Sequence, residues 1–337
     1  MQSSENSHSI LPEFPKLFAW YSAHQAKPPT IDNLPEFHVW IVAKSLRAPE
    51  ASRCRLWAEA IEEIINSCSS ILESVIESDR LTNDLGVSLS DIYSKLAESA
   101  IRYGEGQKAF KALQSLADQT DLAAFRFLSA WTAFNIDQLP ACIAECEKVN
   151  DPFAPIHTLL GQAYLESGMA GDAIDSLKVA IQLAPSDPLP LVQLVKAYLV
   201  TGIQIEACRT VDQCRKLLGP NIEIECLAAM SIMAGPSRTE DFCQRTLIAL
   251  EKHLSLQPWD FEAFSLSMEL AAELNMKNWA EKYTQMVDLS EIERPLELAK
   301  QVAVLLKKTG DRQWHDISRL IIDKTLALTK SFSPIKN

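Results

Sequence analysis

The sequence predicts an all-α protein that grows by stacking helical hairpins behind an N-terminal helical cap. Three observations carry that reading. The chain has 337 residues, more than one hydrophobic core usually organises, so it must divide or repeat. Its apolar residues fall on one face of helical stretches through most of its length. The glycines and asparagines that interrupt those stretches return at a near-constant spacing.

That spacing is the most informative feature. Glycine is scarce, only ten residues, and a glycine or asparagine closing an apolar helical run marks a left-handed turn in the backbone. Such positions are Gly104, Asn135, Gly168, Gly202, Gly235, Asn275 and Gly310, separated by 31, 33, 34, 33, 40 and 35 residues. Two helices of about thirteen residues and two short turns fill such a period. One pair cannot shelter its own apolar face, so pairs stack on one another. The long step before Asn275 places the additional residues in Pro236, Ser237, Arg238, Thr239 and Glu240.

The most regular period reads APIHTLLGQAYLESGMAGDAIDSLKVAIQLAPSD, from Ala154 to Asp187. Gly161 and Ala173 are small where two helices would cross, Tyr164 and Leu177 fill the space beside them, and Pro185 stops the second helix. This stretch resembles a tetratricopeptide repeat. Leu160, Gly161 and Tyr164 stand at the family's Leu-Gly-x-x-Tyr, Ala173 and Leu177 at its Ala-x-x-x-Phe, and Pro185 at its closing proline. His157 departs from the family's tryptophan. A second copy follows in phase with Leu191, Leu194, Val195, Tyr198, Ala207 and Val211, its proline Pro220 one place late. Leu96, Ala97, Ala100, Ala109, Leu113 and Leu116 keep the spacing upstream, and Phe264, Ala271 and Ala280 keep it downstream. The stretch from Leu122 to Val149 fits with a short second helix, and a last pair runs from about Pro295 to Lys330. The resemblance implies a right-handed α-solenoid over residues 90–330, with its best repeats at 154–187 and 188–221, followed by a tail at 331–337.

Residues 1–89 lose the periodic turns but keep helical patterns. The segment LPEF, at Leu11–Phe14 and again at Leu34–Phe37, opens a helix each time, because proline and glutamate suit the first turn. Phe18, Trp20, Tyr21, Val39, Trp40 and Ile41 follow. A long pattern from Pro49 to Asp79 puts Leu56, Trp57, Ala60, Ile61, Ile64 and Ile65 on one side, with Ser67, Ser69 and Ser70 as its break. Two readings stand for this region: a cap on the open end of the stack, or an aromatic surface for docking or homodimer contact.

In the family, partners lie in the groove lined by the first helix of each pair. The resemblance therefore points to Thr158, Gln162 and Leu165 in one repeat and Val192, Lys196 and Leu199 in the next. Such a strip suits an amphipathic helix or extended segment of another protein, or it is covered by the chain's own later helices. The carboxylate clamp of the chaperone-binding subclass has no counterpart, since Thr158, Gln162 and Gln193 stand where its charged residues would.

Composition restricts the rest. With 47% hydrophobic and 23% charged residues, the chain is expected to fold. A net charge of −12 disfavours nucleic acid and anionic membranes. The start MQSSENSHSILPEFPK has no basic leader followed by an apolar run, so a cytoplasmic, non-inserted protein is expected. Eight cysteines, scattered without paired-knuckle spacing, read as reduced and packed; Cys142 and Cys146 share a helical face, and an acidic neighbourhood works against a thiolate there. The six histidines form no metal or catalytic constellation. Gly104-Glu105-Gly106 follows no strand and reads as a helix-to-helix turn, and Glu59, Glu62 and Glu63 read as a solvated face. No metal, cofactor or catalytic residue is expected. The leading function is a scaffold or adaptor in a multiprotein assembly. The alternatives are a peptide- or ligand-sensing regulator whose superhelix changes shape and, more distantly, an enzyme with an unrecognised site.

Overall fold

The computed structural model describes residues 14–67, 71–149, 153–235, 239–286, 299–300, 302–303 and 312–331. They form helices joined by short turns, with no strand among the described residues. The chain divides into two compact units, Met1–Leu183 and Ala184–Asn337.

The first unit begins with α1 (Pro15–Ala23), α2 (Leu34–Arg47), α3 (Glu50–Ser67) and α4 (Ile71–Asp84). Proline in the first turn opens α1 and α2, and Glu36 adds an acidic group at the positive end of α2. The second LPEF thus opens a helix, whereas Leu11–Glu13 of the first lie outside the described residues. The pattern from Pro49 is broken into α3 and α4 at the serine cluster, of which Ser69 and Ser70 lie outside the described residues. Trp57, Ala60, Ile61 and Ile64 are buried, and Glu59, Glu62 and Glu63 are exposed.

Three hairpins complete this unit: α5 (Leu89–Arg102) with α6 (Gly106–Thr120), α7 (Ala123–Asn135) with α8 (Leu139–Glu147), and α9 (Ala154–Glu166) with α10 (Ala170–Leu183). First helices pack side by side, α5 on α7 and α7 on α9. Helices α1 to α4 share one continuous core with α5, α6 and α7, running from Leu17 through Trp57 and Tyr93 to Leu128.

The second unit repeats the plan with α11 (Leu189–Val200) and α12 (Gln204–Leu218), α13 (Ile222–Met233) and α14 (Glu240–Leu256), and α15 (Phe261–Glu273) and α16 (Lys277–Met286). Helix α17 (Arg312–Ser331) packs on α16. Leu191, Leu194, Val195, Tyr198, Ala207, Val211, Phe264, Ala271 and Ala280 are all buried. The first part of the predicted last pair, from Pro295, lies largely outside the described residues, as do Gly310, the insertion at Pro236–Arg238 and most of the tail.

One turn closes five of the hairpins. A residue with positive φ follows the first helix, and the next residue's N–H donates to a carbonyl five positions back: Glu105 to Ala100 at 2.7 Å, Gln138 to Ala133 at 2.9 Å, and Met169 to Tyr164, Ile203 to Tyr198 and Met276 to Ala271 at 2.8 Å each. This Schellman geometry supplies carbonyls that have no partner within the helix. The left-handed residues are Gly104, Asp137, Gly168, Gly202 and Asn275. Two expectations are corrected here. Asn135 is the last residue of α7, and Asp137, at φ 61°, makes the left-handed turn; aspartate tolerates that region through its short polar side chain. Gly235 is not left-handed. After α13 the carbonyls are capped from the neighbouring hairpin instead, by Gln204 Nε2 donating to Ser231 O at 2.9 Å and Gly235 O at 2.7 Å.

The small-residue crossing is present. A Cβ on Gly161 would lie 2.5 Å from Leu177 Cγ, so α9 and α10 approach to a distance that only glycine permits. Ala173 and Leu177 are fully buried beneath it.

Candidate functional site

The repeated turn fixes a register that the sequence alone leaves ambiguous. The six residues expected to line a groove stand ten, six and three places before a left-handed residue: Thr158, Gln162 and Leu165 before Gly168, and Val192, Lys196 and Leu199 before Gly202. Burial divides them. Thr158 is 4% exposed and its hydroxyl donates to Ala154 O at 3.1 Å, within its own helix. Val192 is 6% exposed. Both side chains are packed among their neighbours in this structure. Gln162, Leu165 and Leu199 are half-buried, and Lys196 is half-buried with Nζ 3.4 Å from Glu223.

Counting back from Asp137 in the same way gives Phe127, Trp131 and Phe134, three aromatic residues on the outer side of α7. All three are half-buried. They stand four and three residues apart, which places them in one row along a helix. Phe127 meets Phe153 edge-on with ring centroids 6.0 Å apart. Phe127 and Trp131 rest on the cores to both sides of α7, and Phe134 on the one shared with α8 and α9. Ser94, Glu98 and Ile101 of α5 lie on one side of this row, and Gln162 and Leu165 of α9 on the other. A turn at Asn135 shifts the register of α7 by two residues and leaves the aromatic row unmarked. The run FRFLSAWTAFN carried the signal all along.

In the second unit the corresponding face carries Leu199 of α11 and Ser265, Glu269 and Ala272 of α15, with exposed Met230 of α13 between. Burial raises the Glu269 carboxyl above its ordinary value. Burial, followed by the nearby Glu262 and Asp260, pushes the Cys226 thiol of α13 up to about 12.

Arg126 and Glu225, each the fourth residue of a first helix, stand as His157 does at the place of the family's tryptophan. Both are buried and carry ionic networks. Arg126 Nη1 donates to Asp118 at 2.5 Å and to Glu145 at 3.0 Å, while Lys148 and Gln114 donate to the other Glu145 oxygen at 2.6 and 2.8 Å. Burial alone would raise the Glu145 carboxyl, and these hydrogen bonds outweigh it and hold the group below its usual range. At Glu225 the charges are reversed: Arg215 grips both oxygens, at 3.1 and 2.5 Å, and lies 4.7 Å from the centre of the Phe242 ring. His157 is half-buried, and burial lowers its pKa.

Helices α2, α4 and α5 share a buried chain of hydrogen bonds. The Ser78 hydroxyl donates to Ser74 O at 2.7 Å, so it accepts from His38 Nδ1 at 3.0 Å, and His38 Nε2 accepts from the Tyr93 hydroxyl. Complete burial lowers the His38 pKa to about 4 and raises that of Tyr93. The aromatics near the start are partly engaged: Tyr21 is buried with Arg47 over its ring, and Lys44 lies over Trp40.

Cys142 and Cys146 are buried in α8, and the hydrogen bond between them, then burial, raises the Cys146 thiol far above its ordinary value. Among the described residues, Cys54, Cys142, Cys146, Cys208, Cys214 and Cys226 form no disulfide. Among the described residues no group of His, Cys, Asp and Glu is placed to hold a metal ion, and no helix is long and apolar enough to cross a membrane.

No family model and no curated protein matches the chain. Solved structures do. A tetratricopeptide repeat protein from Parabacteroides merdae is 10% identical, with a TM-score of 0.46 over 69% of this chain and 98% of its own. Pseudomonas aeruginosa PilF is likewise 10% identical, with a TM-score of 0.46 over 69% of this chain and 96% of its own. YrrB, described as a TPR protein with an unusual peptide-binding site, is 14% identical, with a TM-score of 0.41 over 51% of this chain and 88% of its own. The helix pairs are of the tetratricopeptide type, a conclusion that rests on this chain's own recurring turn, its glycine crossing at Gly161 and the register the two share.

Proposed function

We propose that the protein is a non-catalytic scaffold whose first-helix faces hold a helix or extended segment of a partner protein within a multiprotein assembly, with residues 1–89 capping the stack. The observation that carries this reading is the row Phe127, Trp131 and Phe134 on α7, half-buried and bordered by Gln162 and Leu165. Aromatic anchors give a large contact area for little conformational entropy, and they are enriched where proteins bind one another. Leu199, Lys196 and Met230 offer a second, aliphatic face in the following unit. Thr158 and Val192 act here as supports for the helices that present these faces.

The test is quantitative affinity purification of the full chain against Trp131→Glu and Leu199→Glu, with circular dichroism to establish that both variants fold. Trp131→Glu is expected to lose a defined set of partners retained by the parent. If both variants keep every partner at parent levels, the first-helix faces are not binding surfaces.

A further inference from the structure

A second surface stands apart from these faces and holds or fails independently of them. In the second unit, the end of α12, the Gly219–Asn221 turn, the start of α13 and the length of α14 bound a cavity of 700 Å³. Helix α14 is apolar on two sides. Leu247, Leu250 and Leu254 are buried, while Ile248 is 59% and Leu256 69% exposed. Both exposed residues line the cavity, and Ile222 and Ala249 continue its apolar wall. Apolar residues so exposed, gathered in one groove, mark a place of contact.

Its lining holds more cations than acids. The chain as a whole carries −12, yet the lining holds Arg215, Arg245 and Lys252 against Glu225, with Arg215 paired to both Glu225 and Asp212 and with His253 hydrogen-bonded to Asp260. The Arg245 guanidinium is shared with Asp241 at 2.9 Å and Asp212 at 3.5 Å and remains half exposed. Lys252 is exposed and pairs with no acid among the described residues. The groove follows α14 from Arg245 to Leu256, about 16 Å, or three helical turns.

We propose that this groove docks an acidic amphipathic helix of a partner protein. The partner's apolar ridge lies along Ile248, Ile222 and Leu256, and carboxylates on its flanks meet Lys252 and Arg245. A ridge with residues spaced three and four apart matches a groove three turns long, and cations at the rim set the helix's orientation and speed its arrival.

The test uses the full chain and a fluorescein-labelled model helix of about fourteen residues, with leucines on one face and glutamates on both flanks. A twin peptide carries lysine at every glutamate. Fluorescence anisotropy is expected to show the acidic helix binding at least about tenfold more tightly than its twin, with Lys252→Glu and Ile248→Ser each weakening it about tenfold and Trp131→Glu leaving it unchanged. The proposal is overturned if the two peptides bind alike, if neither groove variant has an effect, or if Trp131→Glu abolishes binding. It is equally overturned if sedimentation shows self-association of the parent that Ile248→Ser removes, since a second copy would then fill the groove.

Discussion

Gly161 tests the helix-pair packing most sharply, because alanine there should change sign with its neighbour. The added carbon would sit 2.5 Å from Leu177 Cγ and 2.7 Å from its Cδ2. Leu177 is fully buried and cannot swing aside without displacing the α9–α10 core. Overpacking of this kind costs about 1–3 kcal/mol, whereas alanine in place of glycine within a helix contributes about 1 kcal/mol. The single substitution is therefore expected to destabilise by up to about 2 kcal/mol. Leu177→Ala alone opens a cavity and costs about 2–5 kcal/mol. In that background the collision is gone, helix propensity remains, and Gly161→Ala should stabilise by roughly 1 kcal/mol. The assay is urea denaturation of the four proteins of the cycle, followed by circular dichroism with the dependence on denaturant checked for equality. The reasoning fails if Gly161→Ala has the same sign with and without Leu177.

Three further outcomes follow from the buried groups and turns. His38 stays neutral in the fold down to about 4, while the unfolded chain takes up its proton near 6.5, so stability falls as pH drops through that window; between pH 7.5 and 5.0 the loss is roughly 2 kcal/mol. Unfolding free energies from urea denaturation at these two pH values should differ by that much less in His38→Gln, and an equal pH dependence would remove the assignment. Gly202, at φ 72° with open space where a Cβ would lie, should lose about 1–2 kcal/mol on substitution by alanine through backbone strain alone, with an unchanged melting temperature as the contrary result. Arg126→Ala removes the guanidinium that Glu145 and Asp118 share, while Lys148 and Gln114 still hold Glu145, and should cost about 1–3 kcal/mol; thermal unfolding of this variant checks it.

The fold was readable from sequence where backbone geometry leaves few choices. Gly104, Gly168, Gly202 and Asn275 had to turn left-handed, and the α9–α10 crossing had to hold Gly161. Two turns escaped for physical reasons. Aspartate is a less obvious left-handed residue than asparagine, so Asp137 was passed over for Asn135. Gln204 caps α13 from another hairpin, a long-range solution with no local signature. The two-residue slip at Asn135 also hid the aromatic row of α7, since a shift of two turns a helix by more than half a revolution. Which residues of the strip are buried is not decided by the sequence, because neighbouring helices, not their own, decide it. The sequence does not single out the paired charges at Arg126 and Glu225, because the side chains they hydrogen-bond stand 8 to 19 residues away.

The account rests on α7 presenting its aromatic row to another protein. Hydrogen–deuterium exchange of the chain, alone and bound to a partner recovered by affinity purification, measures this directly. Protection on binding is predicted across Ala123–Asn135 and Ala154–Glu166, and it should vanish in Trp131→Glu. Protection confined to Pro15–Asp84, with α7 and α9 unchanged, would contradict the account.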